Sequence, residues 1–129
     1  MGQNKLNSLY NLAHSGEELA MWVYGMGAKT EQAANCCMTP EQLSKPVQTF
    51  MLNFDFRANA PASPAIAGIG LTGTPNFAVY VGGLYQVNFR LPAVPADVPR
   101  CDGVKVKSNL TITITGSNSS DAAQICVEP

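Results

Sequence analysis

Four cysteines, a single histidine and a set of turn-sited aspartates are the residues whose chemistry reaches beyond packing. Cys36, Cys37, Cys101 and Cys126 show no C-x-x-C spacing, so they do not read as a zinc or redox pair. An even count at scattered spacing reads as disulfide bonding in an oxidising compartment. A bond between adjacent Cys36 and Cys37 would strain the peptide joining them. The expectation is therefore that each takes a different partner, or that one disulfide forms beside two buried thiols. His14 with Cys36, Cys37 and Met38 supplies the soft ligands a copper site uses. Catalytic or metal work needs convergent partners, however, and none lies near His14 in sequence. Asp55, Asp97, Asp102 and Asp121 sit in or beside turn signals, where aspartate serves the turn first. Two of them in one loop would be the start of a calcium site. Asn109-Leu110-Thr111 and Asn118-Ser119-Ser120 match the glycosylation sequon. No G-x-S-x-G elbow, H-E-x-x-H pair or G-x-G-x-x-G loop is present. The expectation is a protein that is not an enzyme and holds no cofactor.

A second kind of chemistry is recognition. Tyr85, Gln86 and Asn88 could line a sugar-binding face, since aromatic rings stack on pyranoses and carboxamides bond hydroxyls. Trp22 with Tyr24 offers a second such platform. The plainer expectation places Tyr85 and Trp22 in the core, with Gln86 and Asn88 bonding loop backbones.

These residues need a scaffold, and the hydropathy pattern describes one. In Leu84-Tyr85-Gln86-Val87-Asn88-Phe89-Arg90-Leu91-Pro92, the residues Tyr85, Val87, Phe89 and Leu91 share one parity, and Gln86, Asn88 and Arg90 the other. Alternate side chains of a strand face opposite ways. The spacing predicts the central strand of an antiparallel sheet, apolar face inward and polar row outward. Gly82-Gly83 opens the run and Pro92 closes it. Val47 to Arg57 alternates as clearly, with Phe50, Leu52, Phe54 and Phe56 against Thr49, Asn53 and Asp55.

Glu18 to Gly25 reads as a strand apolar on both parities, hence covered on both sides. His14-Ser15-Gly16-Glu17 reads as the turn before it. Ile66, Ile69 and Leu71 suggest a short bulged strand, and Phe77 to Val81 leads into the central one. Val104 to Thr115 sets Leu110, Ile112 and Ile114 against Thr111, Thr113 and Thr115. Ala123, Ile125 and Val127 mark the last strand. Residues 28–46 form a long connection with Cys36 and Cys37, and Thr39-Pro40-Glu41-Gln42 inside it has the composition of a helix start. About seven short strands between turn signals predict an all-β, immunoglobulin-like antiparallel β-sandwich. It forms one domain over residues 1–129, with 1–15 as an N-terminal extension or edge strand.

Composition narrows the partners. Charged residues make up 13 % and hydrophobic residues 46 %, with a net charge of −1. Nucleic acid is excluded as an expected partner, because phosphate binding needs a basic surface. No apolar run approaches the ~20 residues a bilayer requires, so no membrane span is expected. Met1 to Lys5 lacks the apolar stretch of a leader, and with the cysteines this reads as one domain of a longer exported protein.

Gly83-Leu84-Tyr85-Gln86-Val87-Asn88-Phe89-Arg90-Leu91-Pro92, with Leu71-Thr72-Gly73-Thr74-Pro75-Asn76-Phe77 before it, is similar to a strand of the form GLYQ(I/V)N(V/F)-x-(V/L)P preceded by GLxPxFVG. Gly16-Glu17-Glu18-Leu19 and Tyr24-Gly25-Met26-Gly27 are similar to the first strand and turn of the same family, and Lys107-Ser108-Asn109 with Thr111-Ile112-Thr113-Ile114 to its closing strands. Across most of residues 15–127 the chain resembles the Ig-like C-terminal domain of uncharacterised exported proteins of Acidobacteria, the Solibacter type. Ala78-Val79-Tyr80 stands as an insertion against that pattern, and the Cys36–Cys37 loop is longer. The resemblance implies an Ig-like fold and export to the cell surface or beyond. It brings no catalytic residue and no cofactor. The expected role is a non-catalytic module in adhesion, protein–protein interaction or structural spacing, with self-association through edge strands as one form of it. The other expectation is a carbohydrate-binding module of an exported enzyme.

Overall fold

A computed structural model describes residues 5–24, 49–62, 70–73, 76–79, 85–116 and 120–129. Cys36, Cys37, Met38, Leu84, Asn118 and the helix start at Thr39 lie outside them. Among the described residues the protein is all-β, without helix, and its strands form two antiparallel sheets. The strands are β1 (Glu18–Val23), β2 (Met51–Asp55), β3 (Gly70–Gly73), β4 (Asn76–Val79), β5 (Tyr85–Arg90), β6 (Leu110–Thr115) and β7 (Ser120–Ile125).

The smaller sheet runs β1-β5-β4 and the larger β3-β2-β6-β7. β5 is the central strand of its sheet, as its alternation predicts. Tyr85, Val87 and Phe89, with Leu91 just beyond the strand, are buried, whereas Gln86 and Asn88 are half-buried and Arg90 is exposed. β2 obeys the same rule: Phe50, Leu52, Phe54 and Phe56 all enter the core. Side chains from both sheets make one apolar cluster, joined where the Phe54 and Phe89 rings lie 5.8 Å apart at a tilt of 52°. Two antiparallel sheets sharing one core are consistent with a β-sandwich.

Two strand readings are corrected. β1 is not covered on both sides: Glu18, Ala20 and Trp22 are exposed, and Leu19, Met21 and Val23 turn inward. Ala20 and Trp22 look apolar in sequence yet occupy the outer face. β6 shows the opposite. Its threonine parity reads as an outward face, but Thr111 and Thr113 are buried along with Leu110, Ile112 and Ile114. The chain after β2 returns over this face: the Ala60 carbonyl accepts from Thr111 Oγ1 and from Gln124 Nε2, both at 2.7 Å. The strand expected from Val104 begins only at Leu110.

The N-terminal segment is pinned to the far end of the chain. Ala13 forms a parallel bridge with Val127. Asn7 bonds both ways with Cys126, giving Nδ2–H to its carbonyl at 2.7 Å and taking its N–H on Oδ1 at 2.8 Å. The turn at 14–17 is present: Glu17 N–H reaches the His14 carbonyl at 3.0 Å, and Gly16 takes φ 77°, open to glycine without strain.

Candidate functional site

Antiparallel register decides which polar residues can act together. β1 pairs with β5 so that Trp22 stands opposite Gln86, Ala20 opposite Asn88 and Glu18 opposite Arg90. β4 closes the other side, with Asn76 opposite Asn88 and Ala78 opposite Gln86. Directly opposed residues bring their Cβ atoms within ~4.5–5.5 Å. The β1 and β5 part of this outer face thus carries one indole beside a pair of carboxamides, with Asn76 of β4 across from Asn88.

Trp22 is 51 % exposed and Tyr24, just past the strand, 70 % exposed. The exposure of Trp22 corrects the expectation that it is a core residue. Gln86 Nε2 donates to Asn88 Oδ1 at 3.1 Å. The expectation that these two amides hold loop backbones is therefore also corrected, because they hold each other. Among the described residues that leaves the Gln86 carbonyl oxygen and the Asn88 amide group without a further hydrogen bond, on two half-buried side chains. In either orientation of the two amides the pair presents one carbonyl acceptor and one NH₂ donor. At the edge of the face Arg90 Nη2 bonds Glu18 Oε1 at 2.9 Å, so the nearest charges compensate each other. Tyr85 belongs to the opposite face, inside the core, and its burial pushes the phenol pKa up.

The other residues singled out from sequence go elsewhere. Asp55 is buried and bidentate to Arg57, with Arg57 Nε to Oδ1 at 2.8 Å and Nη2 to Oδ2 at 2.6 Å. Asp102 Oδ1 accepts from the N–H groups of Val104, Lys105 and Val106 at 2.8, 2.8 and 2.9 Å. Those bonds, Val106 and Val104 foremost, hold its carboxyl below the usual aspartate range. Asp121 caps the N–H of Ala122, and the N–H of His14 bonds the Glu17 carboxylate. Among the described residues no three His, Cys, Asp or Glu side chains gather as metal ligands would. Asn109 is buried with its amide fully used, so this sequon faces the interior.

Cys101 and Cys126 pair with each other at a Cα–Cα distance of 6.0 Å. Of the two expected arrangements, this rules out separate partners for Cys36 and Cys37 at these positions and agrees with a single disulfide, while Cys36 and Cys37 lie outside the described residues.

Asn59 and Asn109 carry structural roles that spacing alone does not reveal. Asn59 adopts φ 52°, a region asparagine tolerates. It gives Nδ2–H to the Lys105 carbonyl and accepts from Lys107 and Ser108. Its one sequence signal is its place after a strand, in Arg57-Ala58-Asn59-Ala60-Pro61.

No family model, curated protein or solved structure matches this chain. Among the described residues no helix is long and apolar enough to cross a membrane.

Proposed function

We propose that this chain is an immunoglobulin-like, non-catalytic module of an exported or cell-surface bacterial protein, working in adhesion, protein–protein interaction or structural spacing. The strand order carries the reading. β1-β5-β4 set against β3-β2-β6-β7 corresponds to strands B-E-D and C′-C-F-G of the immunoglobulin scheme. The N-terminal segment beside the end of β7 takes the place of the first strand. Two features depart from antibody domains. The disulfide links the segment before β6 to the end of β7 rather than joining the two sheets, and the lone tryptophan faces outward. The Cys101–Cys126 pair fits an oxidising compartment, hence export. The non-catalytic part rests on how these polar groups are used: Asp55 pairs with Arg57 two residues on, Asp102 caps its own turn, and Asn59 and Asn109 hold chain segments together.

The test is retention of the fluorescently labelled domain on bacterial cell surfaces and on a panel of insoluble polysaccharides. Saturable retention, displaced by unlabelled domain, is the expected result. Turnover of any ester, glycoside or peptide substrate by the purified domain would overturn the reading.

A second reading, a carbohydrate-binding module of an exported enzyme, draws on one observation: the exposed indole of Trp22 stands opposite Gln86 on a face otherwise poor in charge.

A further inference from the structure

We infer that the outer face of the β1-β5-β4 sheet is a binding site for a neutral polysaccharide chain, with Trp22 as the stacking platform and Gln86 and Asn88 as the hydroxyl-reading pair. This inference rests on the second reading above and gives it residues and a ligand class.

The face matches such a ligand on three counts. First, an indole half open to water is a large apolar surface with a polar edge, suited to the C–H face of a pyranose ring. Its strand gives it alanine two residues before, at Ala20, so no bulky side chain of β1 stands beside it on that side. Second, the amide pair is pre-organised. The bond between Gln86 and Asn88 ties the two side chains to each other and leaves one carbonyl acceptor and one NH₂ donor on the pair. Adjacent sugar hydroxyls, each both donor and acceptor, satisfy that combination. A ligand that only donates or only accepts satisfies half of it. Holding the amides in place before binding lowers the ordering cost that would otherwise offset the gain.

Third, charge selects against ionic polymers. Arg90 is the one cation among the β1 and β5 residues of this face, and Glu18 occupies it. An acidic polysaccharide would have to displace that carboxylate. Net charge gives no general attraction either, at −1 for the whole chain.

Trp22 is the only tryptophan, so fluorescence excited at the red edge, where tyrosine does not absorb, reports on this face. Titrate the full chain with soluble hexasaccharides of cellulose, xylan, mannan and chitin, with oligogalacturonate as the acidic probe. Saturable change in emission with at least one neutral hexasaccharide, and none with oligogalacturonate, is expected. Affinity electrophoresis in the matching polymer then compares variants. Trp22→Ala should weaken retention by roughly tenfold or more, the loss of a central aromatic anchor. Trp22→Tyr should keep most of it, and Gln86→Ala should lose several-fold. Tyr10→Ala removes a 99 % exposed ring on the N-terminal segment and should change nothing. Circular dichroism of each variant separates lost binding from lost fold.

The site is overturned if Trp22→Ala, folded, is retained like the parent. It is equally overturned if no neutral sugar alters the emission, if oligogalacturonate binds best, or if the emission changes with protein concentration alone, which would assign the face to a second copy. Surface retention that survives Trp22→Ala would sink this site while leaving the interaction-module reading intact.

Discussion

Asn109 shows what one buried amide can hold. Its Nδ2 donates to the carbonyls of Pro99 and Val127, both at 2.9 Å, and its Oδ1 accepts from Val127 N–H at 2.7 Å. It ties the loop before β6 to the last residues of the chain. Asn109→Ala strands three backbone groups at a buried site, so a loss on the order of 3 kcal/mol is expected in urea denaturation. A loss under about 1 kcal/mol would mean that water or neighbours replace those bonds. Asp102 makes a pH prediction. Its folded carboxyl lies below the unfolded value, so its contribution is complete above the unfolded pKa of ~3.9 and is lost as pH falls toward the folded one. The stability advantage of the parent over Asp102→Asn should therefore be constant from neutral pH down to about pH 4 and shrink below it. Denaturation midpoints of both proteins across that range test the sign. A constant gap would show that the backbone bonds do not favour the charged form.

At the scale of elements, β2 and β5 were legible on both faces and β1 and β6 were not, each for its own reason. Alternation announces a buried face only when the two parities differ in polarity. Phe50, Leu52, Phe54 and Phe56 oppose polar neighbours, so their inward direction is plain from sequence and buried in the structure. Phe54→Ala should cost about 3–5 kcal/mol, since it opens a cavity at the contact with Phe89. A value below about 1 kcal/mol would mean that the ring is not in the core. β1 carries apolar residues on both parities, and pairing with β5 decides which side is out. In β6 the threonine parity is buried as well. Thr113 Oγ1 is buried without a hydrogen-bond partner among the described residues. Thr113→Val replaces that hydroxyl with a methyl of nearly the same shape. It should therefore be neutral or stabilising by up to about 1 kcal/mol. Marked destabilisation would show that the hydroxyl is satisfied.

Over the whole molecule, the Cys101–Cys126 bond closes a loop at a sequence separation of 25. In the chain-entropy account such a crosslink is worth roughly 3–4 kcal/mol, by restricting the unfolded state. Reducing the protein, or replacing both cysteines with alanine, should lower stability by about that amount and leave the two sheets in place. The far-ultraviolet circular dichroism of the reduced protein at low temperature should be unchanged. Collapse of the β signal on reduction would mean that the core alone cannot carry the fold. The same loop is tied independently by Asn109 and by the Arg100–Glu128 ion pair at 2.7 Å. Reduction therefore loosens one of several links rather than the only one.

By itself the sequence determined the strands whose two faces differ, the turn at 14–17, and the inward course of Tyr85, Val87, Phe89 and Leu91, because those follow from local periodicity. Tertiary structure decided the rest, because it depends on residues distant in the chain. Which cysteine meets Cys126, what covers Thr111, and which carbonyls Asn109 reaches are questions of register and return path. The same holds for Trp22. Its strand offers two apolar sides, and only the core shared with the larger sheet leaves the indole facing solvent beside Gln86.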